Sequence, residues 1–98
     1  MINSKQRAYL RSLAMNLTPA FNIGKQSLTP EFTDAIIEYF DSHELIKISV
    51  LKNCDDDARS IAEVLSERTH SELVQIIGKK IVLYKAAKDM KDRKIILP

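Results

Sequence analysis

"ELVQIIGKKIVLYKA", residues 72–86, contains two β-rich runs separated by Gly78-Lys79. Valine, isoleucine, leucine and tyrosine dominate both runs, and such residues suit a pleated, half-buried surface. A glycine leading a two-residue connection signals a tight hairpin, because such turns need positive φ at their first central position. The end of the chain therefore reads as an antiparallel pair. Gln75, polar within an apolar run, reads as an exposed position on a mixed face.

Upstream, "ELIKISVL" (44–51) alternates as a third strand, with Ile46, Ile48 and Val50 on one apolar face and Leu45, Lys47, Ser49 and Leu51 on the other. "AFNIG" reads as a short strand ending at Gly24. Three helical patterns separate these strands. In "SKQRAYLRSLAMNL" (4–17), Leu10, Leu13, Ala14 and Leu17 share one helical face, Asn3 or Ser4 can cap the start, and Pro19 stops the helix. Thr29-Pro30-Glu31 is helix-start chemistry, followed by the stripe Phe32, Ala35, Ile36, Tyr39 and Phe40. "NCDDD" opens a third helix, with Ala58, Ile61, Ala62 and Leu65 inward and a fade near Thr69. The expectation is a compact α/β domain of order αβαβαββ with three helices and a four-stranded mixed sheet. Helical crossovers should give parallel neighbours and the hairpin an antiparallel pair. Residues 1–86 form the domain and 87–98 a basic tail, of which Ile95 to Leu97 can pack.

Ninety-eight residues suffice for one core, with 45% apolar and 29% charged residues as in ordinary globular proteins. No window has the ~20 apolar residues of a membrane span, and the N-terminus lacks a signal-peptide core. A cytoplasmic monomer is expected. Net charge is only +2, but it is segregated. Residues 1–28 hold Lys5, Arg7, Arg11 and Lys25 and no acid, and residues 29–57 are strongly acidic. Residues 79–98 are basic again, which suggests a local cationic surface.

Catalytic and metal motifs fail one by one. A phosphate-binding P-loop needs a second, earlier glycine and a serine directly after the lysine, which "GKQS" lacks. Asp55 to Asp57 read as dipole-favouring acids at a helix start rather than a magnesium site. Cys54, the single cysteine, reads as a strand-to-helix junction residue, and His43 as a helix-end residue. His70 lies in a polar turn. No cofactor, metal or small-molecule substrate is implied, and a hydrolase reading has only Cys54 and two unplaced histidines behind it. Tyr39 belongs to a core stripe, and packing is also the reading for Tyr9 and Tyr84. Gly24-Lys25-Gln26-Ser27 remains: backbone amides and a flexible ammonium between a strand and a helix can meet an anion.

The stretches "KQRAYLRSLAMNLTP", "IGKQSLT", "HELIKISVL", "LVQIIGKKIVLYK" and "KDRKIILP" resemble, in this order, the bacterial YhbY family, the single-domain form of the CRM (chloroplast RNA splicing and ribosome maturation) domain. The resemblance spans almost the whole chain. It implies a fold similar to the C-terminal domain of the translation initiation factor that inspects initiator tRNA. It also implies a non-enzymatic RNA-binding protein, with structured RNA as partner: ribosomal RNA in precursors of the large subunit, whose assembly it would assist. The family loop is usually G-x-x-G; here Ser27 replaces the second glycine, and easy access to positive φ is lost. Met15 stands where many relatives have a histidine. The expected RNA-binding residues are Gly24, Lys25, Gln26 and Ser27, with Lys5, Arg7 and Arg11 along the first helix. Lys47, Lys79, Lys80 and Lys85 are weaker candidates. An alternative is an adaptor whose acidic second helix, through Asp34, Glu38 and Asp41, docks ribosomal or assembly proteins.

Overall fold

The computed structural model describes residues 2–98; Met1 lies outside them. Its elements are α1 (Ser4–Ala14), β1 (Phe21–Ile23), α2 (Pro30–Tyr39), β2 (Leu45–Val50), α3 (Ala58–Thr69), β3 (Glu72–Ile77) and β4 (Lys80–Tyr84). A short 3₁₀ turn follows at Met90–Asp92. The order is the expected αβαβαββ.

Each helix starts on the residue type its chemistry requires. Asn3 Oδ1 accepts the Gln6 N–H at 2.8 Å while Gln6 Oε1 accepts the Asn3 N–H at 3.1 Å, a reciprocal capping box. Thr29 Oγ1 accepts the Phe32 N–H, with Pro30 in the first helical position. Asp57 accepts the Ser60 N–H at 2.7 Å, and this bond, with help from the Ser60 hydroxyl, holds its carboxyl below the ordinary range. α1 ends at Ala14, one turn before the expected Leu17. Thr18, preceding Pro19, is steered away from helical geometry, and Leu17 is left on the surface. α3 closes on His70, which takes left-handed φ of 55° while the Ser71 N–H reaches back to the Ser66 carbonyl at 2.9 Å.

Strand order is β1-β2-β4-β3. β1 and β2 are parallel; β4 is antiparallel to both β2 and β3. Ile77 pairs with Lys80 across the hairpin, and only Gly78 of the two turn residues has positive φ, at 56°. This order departs from the expected parallel pairing of strands joined by helical crossovers. The α2 crossover joins parallel neighbours, but the α3 crossover does not, because β4 inserts between β2 and β3. β4 buries both faces, and a strand of that kind is better satisfied at the centre of a sheet than at its edge.

Ile81 and Leu83 of β4 join Ile46, Ile48 and Val50 of β2 in a cluster covered by Ile36 and Phe40 of the α2 segment and by Ile61, Ala62 and Leu65 of α3. Val82 and Tyr84 face the other way, against Leu10 and Ala14 of α1, with Ile2 and Val74. The result is three layers: α2 and α3, the sheet, and α1. β3 carries a bulge between Leu73 and Gln75.

Beyond β4 the chain folds back onto the α1 side, where Ile95 and Leu97 pack against the second cluster while Ile96 stays exposed. Glu44 fastens this return. Its buried carboxylate accepts N–H groups of Ala87 (3.0 Å), Lys94 (2.7 Å) and Ile95 (3.0 Å). Burial by itself raises the pKa of Glu44, but the three amides and the charge of Arg93 outweigh it and leave the carboxyl below its usual value. Burial, added to by the negative charge of Glu44 and only partly offset by Arg93, pushes the Tyr84 phenol up.

A folded pKa below the unfolded one stabilises the fold above the unfolded value, and that contribution disappears as pH falls through the folded value. Amides of Lys94 and Ile95 should therefore resist hydrogen exchange at neutral pH and lose protection once acid protonates Glu44. Glu44→Gln keeps one neutral acceptor and replaces the other oxygen with an NH₂ group, so it should weaken that protection, abolish its dependence on acid and destabilise by about 2 kcal/mol. Thr33, buried on α2, has a hydroxyl with no hydrogen-bond partner among the described residues. Thr33→Val should raise stability by about 1 kcal/mol in chemical denaturation.

Candidate nucleic-acid interface

α1 covers only part of its side of the sheet. Strand register sets three rows across that face. Leu45, Tyr84 and Glu72 form the first; Lys47, Val82 and Gln75 the second; Asn22, Ser49, Lys80 and Ile77 the third. α1 packs on the first row, its end reaches the second, and the third is uncovered. There Asn22 and Lys80 are exposed, and Ile77 is 58% exposed. Lys80 Nζ donates to Ser49 Oγ at 3.2 Å. Neither Lys47 nor Lys80 forms an ion pair among the described residues. They are diagonal neighbours on adjacent strands, close enough for their charges to reinforce each other. Gln75 lies on the face it was expected to share with Lys47, half-buried rather than exposed.

Where α1 runs out, Met15, Gln75, Ile77 and Val82 line a hollow of about 260 Å³ together with Lys47 and Lys80. Met15 is 80% exposed at its mouth. Arg7, Arg11 and Met15 succeed one another at four-residue spacing, so they form one ridge of α1. Arg7 is half-buried, and its guanidinium donates to the carbonyls of Leu73 and Val74 at the bulge. That contact satisfies edge-strand carbonyls and anchors α1 to β3. Arg11 is exposed, as is Lys5 in the first turn. Lys79 is exposed at the hairpin tip, its carbonyl accepting the Val50 N–H at 2.7 Å. Lys85 is half-buried where the chain leaves β4.

The Gly24–Ser27 loop begins two residues beyond Asn22. The Ser27 N–H closes the turn onto the Gly24 carbonyl at 2.9 Å. Ser27 nonetheless takes the left-handed conformation, with φ of 53°. Its hydroxyl donates to an Asp56 carboxylate oxygen at 2.5 Å, which ties the loop to the β2–α3 connection. Gly24 has no positive φ; its role is proximity, since a Cβ there would meet Asn53 Oδ1 at 3.3 Å. The amides of Lys25 and Gln26 have no backbone acceptor among the described residues, and both side chains are exposed. An anion at this loop would meet those amides and the Lys25 ammonium, with the Ser27 hydroxyl engaged elsewhere and Asp56 opposing it.

The remaining residues singled out by sequence have structural surroundings. Cys54 is half-buried in the β2–α3 connection, its Sγ 3.5 Å from the Asp56 carbonyl. His43 stacks on Tyr39, ring centroids 3.9 Å apart, and Tyr39 meets Phe21 edge-on. Tyr84 is buried, and Tyr9 is 39% exposed. Asp34, Glu38 and Asp41 are all exposed. No group of acidic, histidine or cysteine side chains among the described residues could hold a metal ion. No helix is long and apolar enough to cross a membrane. The groove residues Met15 and Ile77 escape a reading from periodicity, although the hairpin register already sets Ile77 opposite Lys80.

Fold and surface together define a small α/β/α binding module with a cationic, partly uncovered sheet face. The chain belongs to the CRS1/YhbY (CRM) domain family, whose model matches residues 2–85. It is similar to a Bacillus subtilis (strain 168) protein named "Probable RNA-binding protein YqeI", at 45% identity over 93% of this chain and 95% of that one. It is also similar to an RNA-binding protein of Haemophilus influenzae, at 30% identity over 92% and 91% of the two chains. The solution structure of a Staphylococcus aureus protein superposes with a TM-score of 0.82 at 46% identity, covering 100% of both chains. Both the Bacillus and the Haemophilus relatives are named as RNA-binding proteins.

The loop geometry makes a prediction about the departure from G-x-x-G. Ser27→Ala removes the bond to Asp56 but keeps the left-handed backbone, and should lower stability by about 1 kcal/mol. Ser27→Gly loses the same bond but relieves the backbone, so denaturation should find it within about 0.5 kcal/mol of the parent.

Proposed function

We propose that this chain binds structured RNA, namely ribosomal RNA in precursors of the large ribosomal subunit, and assists assembly of that subunit. The observation that carries the reading is the pair Lys47 and Lys80, which form no ion pair among the described residues and lie side by side where α1 ends against the sheet. Two adjacent ammoniums without counter-charges favour a polyanion over a neutral partner, and release of its counterions adds to the driving force. Arg11 on the α1 ridge, Lys79 at the hairpin tip and Lys25 at the loop enlarge this cationic surface. Lys5 is the outlying member. Arg7 supports the interface chiefly by holding α1 on β3, and the chain's relatives named as RNA-binding proteins support RNA as the polyanion. The resemblance to bacterial proteins associated with large-subunit precursors supports the choice of RNA. Recognition in this mode reads RNA shape and accessible strands more than duplex sequence.

Binding to fragments of large-subunit ribosomal RNA, titrated at several salt concentrations, tests the proposal. Affinity should fall with salt, and Lys47→Ala with Lys80→Ala should reduce the log–log slope by about two, one for each lost phosphate contact. Lys25→Ala should reduce it by about one. Co-sedimentation with pre-ribosomal particles that survives reversal of all three lysines, but fails after reversal of Asp34, Glu38 and Asp41, would replace the RNA reading with the adaptor.

A further inference from the structure

We propose that the hollow beside the end of α1 is a pocket for a single unpaired nucleobase of the bound RNA. The inference rests on the RNA-binding reading and deepens it. Met15 and Ile77, both long apolar side chains, are 80% and 58% exposed at this hollow, and Val82 lies at its base. Large apolar groups exposed together around a concavity mark a contact surface. The space, about 260 Å³, lies just below the range of pockets for drug-sized ligands, which suits one flat ring system.

The polar groups at the same place narrow the occupant. Lys47 and Lys80 flank the hollow without acidic partners among the described residues, so an apolar body entering it should carry negative charge nearby. Gln75 also lines the hollow, and its side-chain amide makes no hydrogen bond among the described residues. An amide offers a donor and an acceptor side by side, the pairing that a base edge can answer. A flat ring with a hydrogen-bonding edge and phosphates on either side is a nucleotide. The ring must be unpaired, because a base inside a duplex shows neither its face nor its pairing edge. Val74 and Gln75 both serve the α1 side of β3 because the bulge admits one extra residue there; without it the amide would alternate to the opposite face.

A short single-stranded adenosine oligonucleotide and an abasic ribose–phosphate oligomer of equal length test the pocket, since they share phosphates and differ only in bases. The parent protein should bind the adenosine oligomer about tenfold more tightly, the gain from burying one base against apolar side chains. Met15→Ser and Ile77→Ser, both at exposed positions that leave the circular dichroism unchanged, should each reduce that preference. Lys25→Ala should weaken both oligomers alike and keep the ratio. In NMR titrations the Gln75 side-chain amide should shift with the adenosine oligomer and not with the abasic one. Equal, salt-dependent affinity for both oligomers would overturn the pocket and leave the RNA-binding reading intact. So would a preference for adenosine that survives both serine substitutions. Absence of salt-dependent binding to either oligomer and to folded ribosomal RNA fragments would overturn both.

Discussion

β4 is apolar on both faces, and most of the architecture is a response to that fact. Ile81 and Leu83 need cover on one side, Val82 and Tyr84 on the other, so helices must lie on both sides of the sheet. An edge position would leave backbone groups and side chains half-solvated. Placing β4 between β2 and β3 satisfies the backbone on both flanks. It also fixes which rows of the sheet α1 can cover. α1 is held on the first row by Leu10 and Ala14 and at the β3 edge by Arg7, and it ends before the third row begins. The uncovered cationic half of the face is therefore a consequence of helix length, and Thr18-Pro19 prevents that helix from extending.

Charge segregation along the chain takes on a spatial meaning in this frame. Lys47 comes from an otherwise acidic third of the sequence, yet register sets it beside Lys80 of the basic C-terminal third. The acids of α2 remain exposed on the opposite layer, while Asp56 approaches the Gly24–Ser27 loop. Glu44 serves neither surface; its carboxylate secures the returning C-terminal segment. Acidic residues thus have at least two structural duties here, loop anchoring and tail docking, that net charge does not reveal.

The loop illustrates how a motif's letters and its geometry can separate. Sequence suggests that replacing the second glycine with serine endangers left-handed backbone at position 27. Ser27 adopts that conformation regardless, with its hydroxyl bonded to Asp56, a partner 29 residues away in sequence. Gly24 matters for a different reason, the closeness of Asn53. One position is governed by dihedral freedom and the other by space, a distinction that the pattern G-x-x-G does not contain.

Local chemistry in the sequence determined the three helix starts, the hairpin at Gly78, the α/β class and the family, because caps, turns and hydrophobic periods are short-range properties. Asn3, Thr29, Asp57 and Gly78 all act within a few residues of themselves. Tertiary structure alone decided that β4 separates β2 from β3, that Arg7 is bound to strand carbonyls, and that Met15, Gln75 and Ile77 gather beside two lysines. Those facts depend on strand order and on where α1 ends against the sheet, and both follow from burying two apolar faces at once. Periodicity can say which side of a strand is apolar, but the neighbour that covers it is chosen only when the whole core packs.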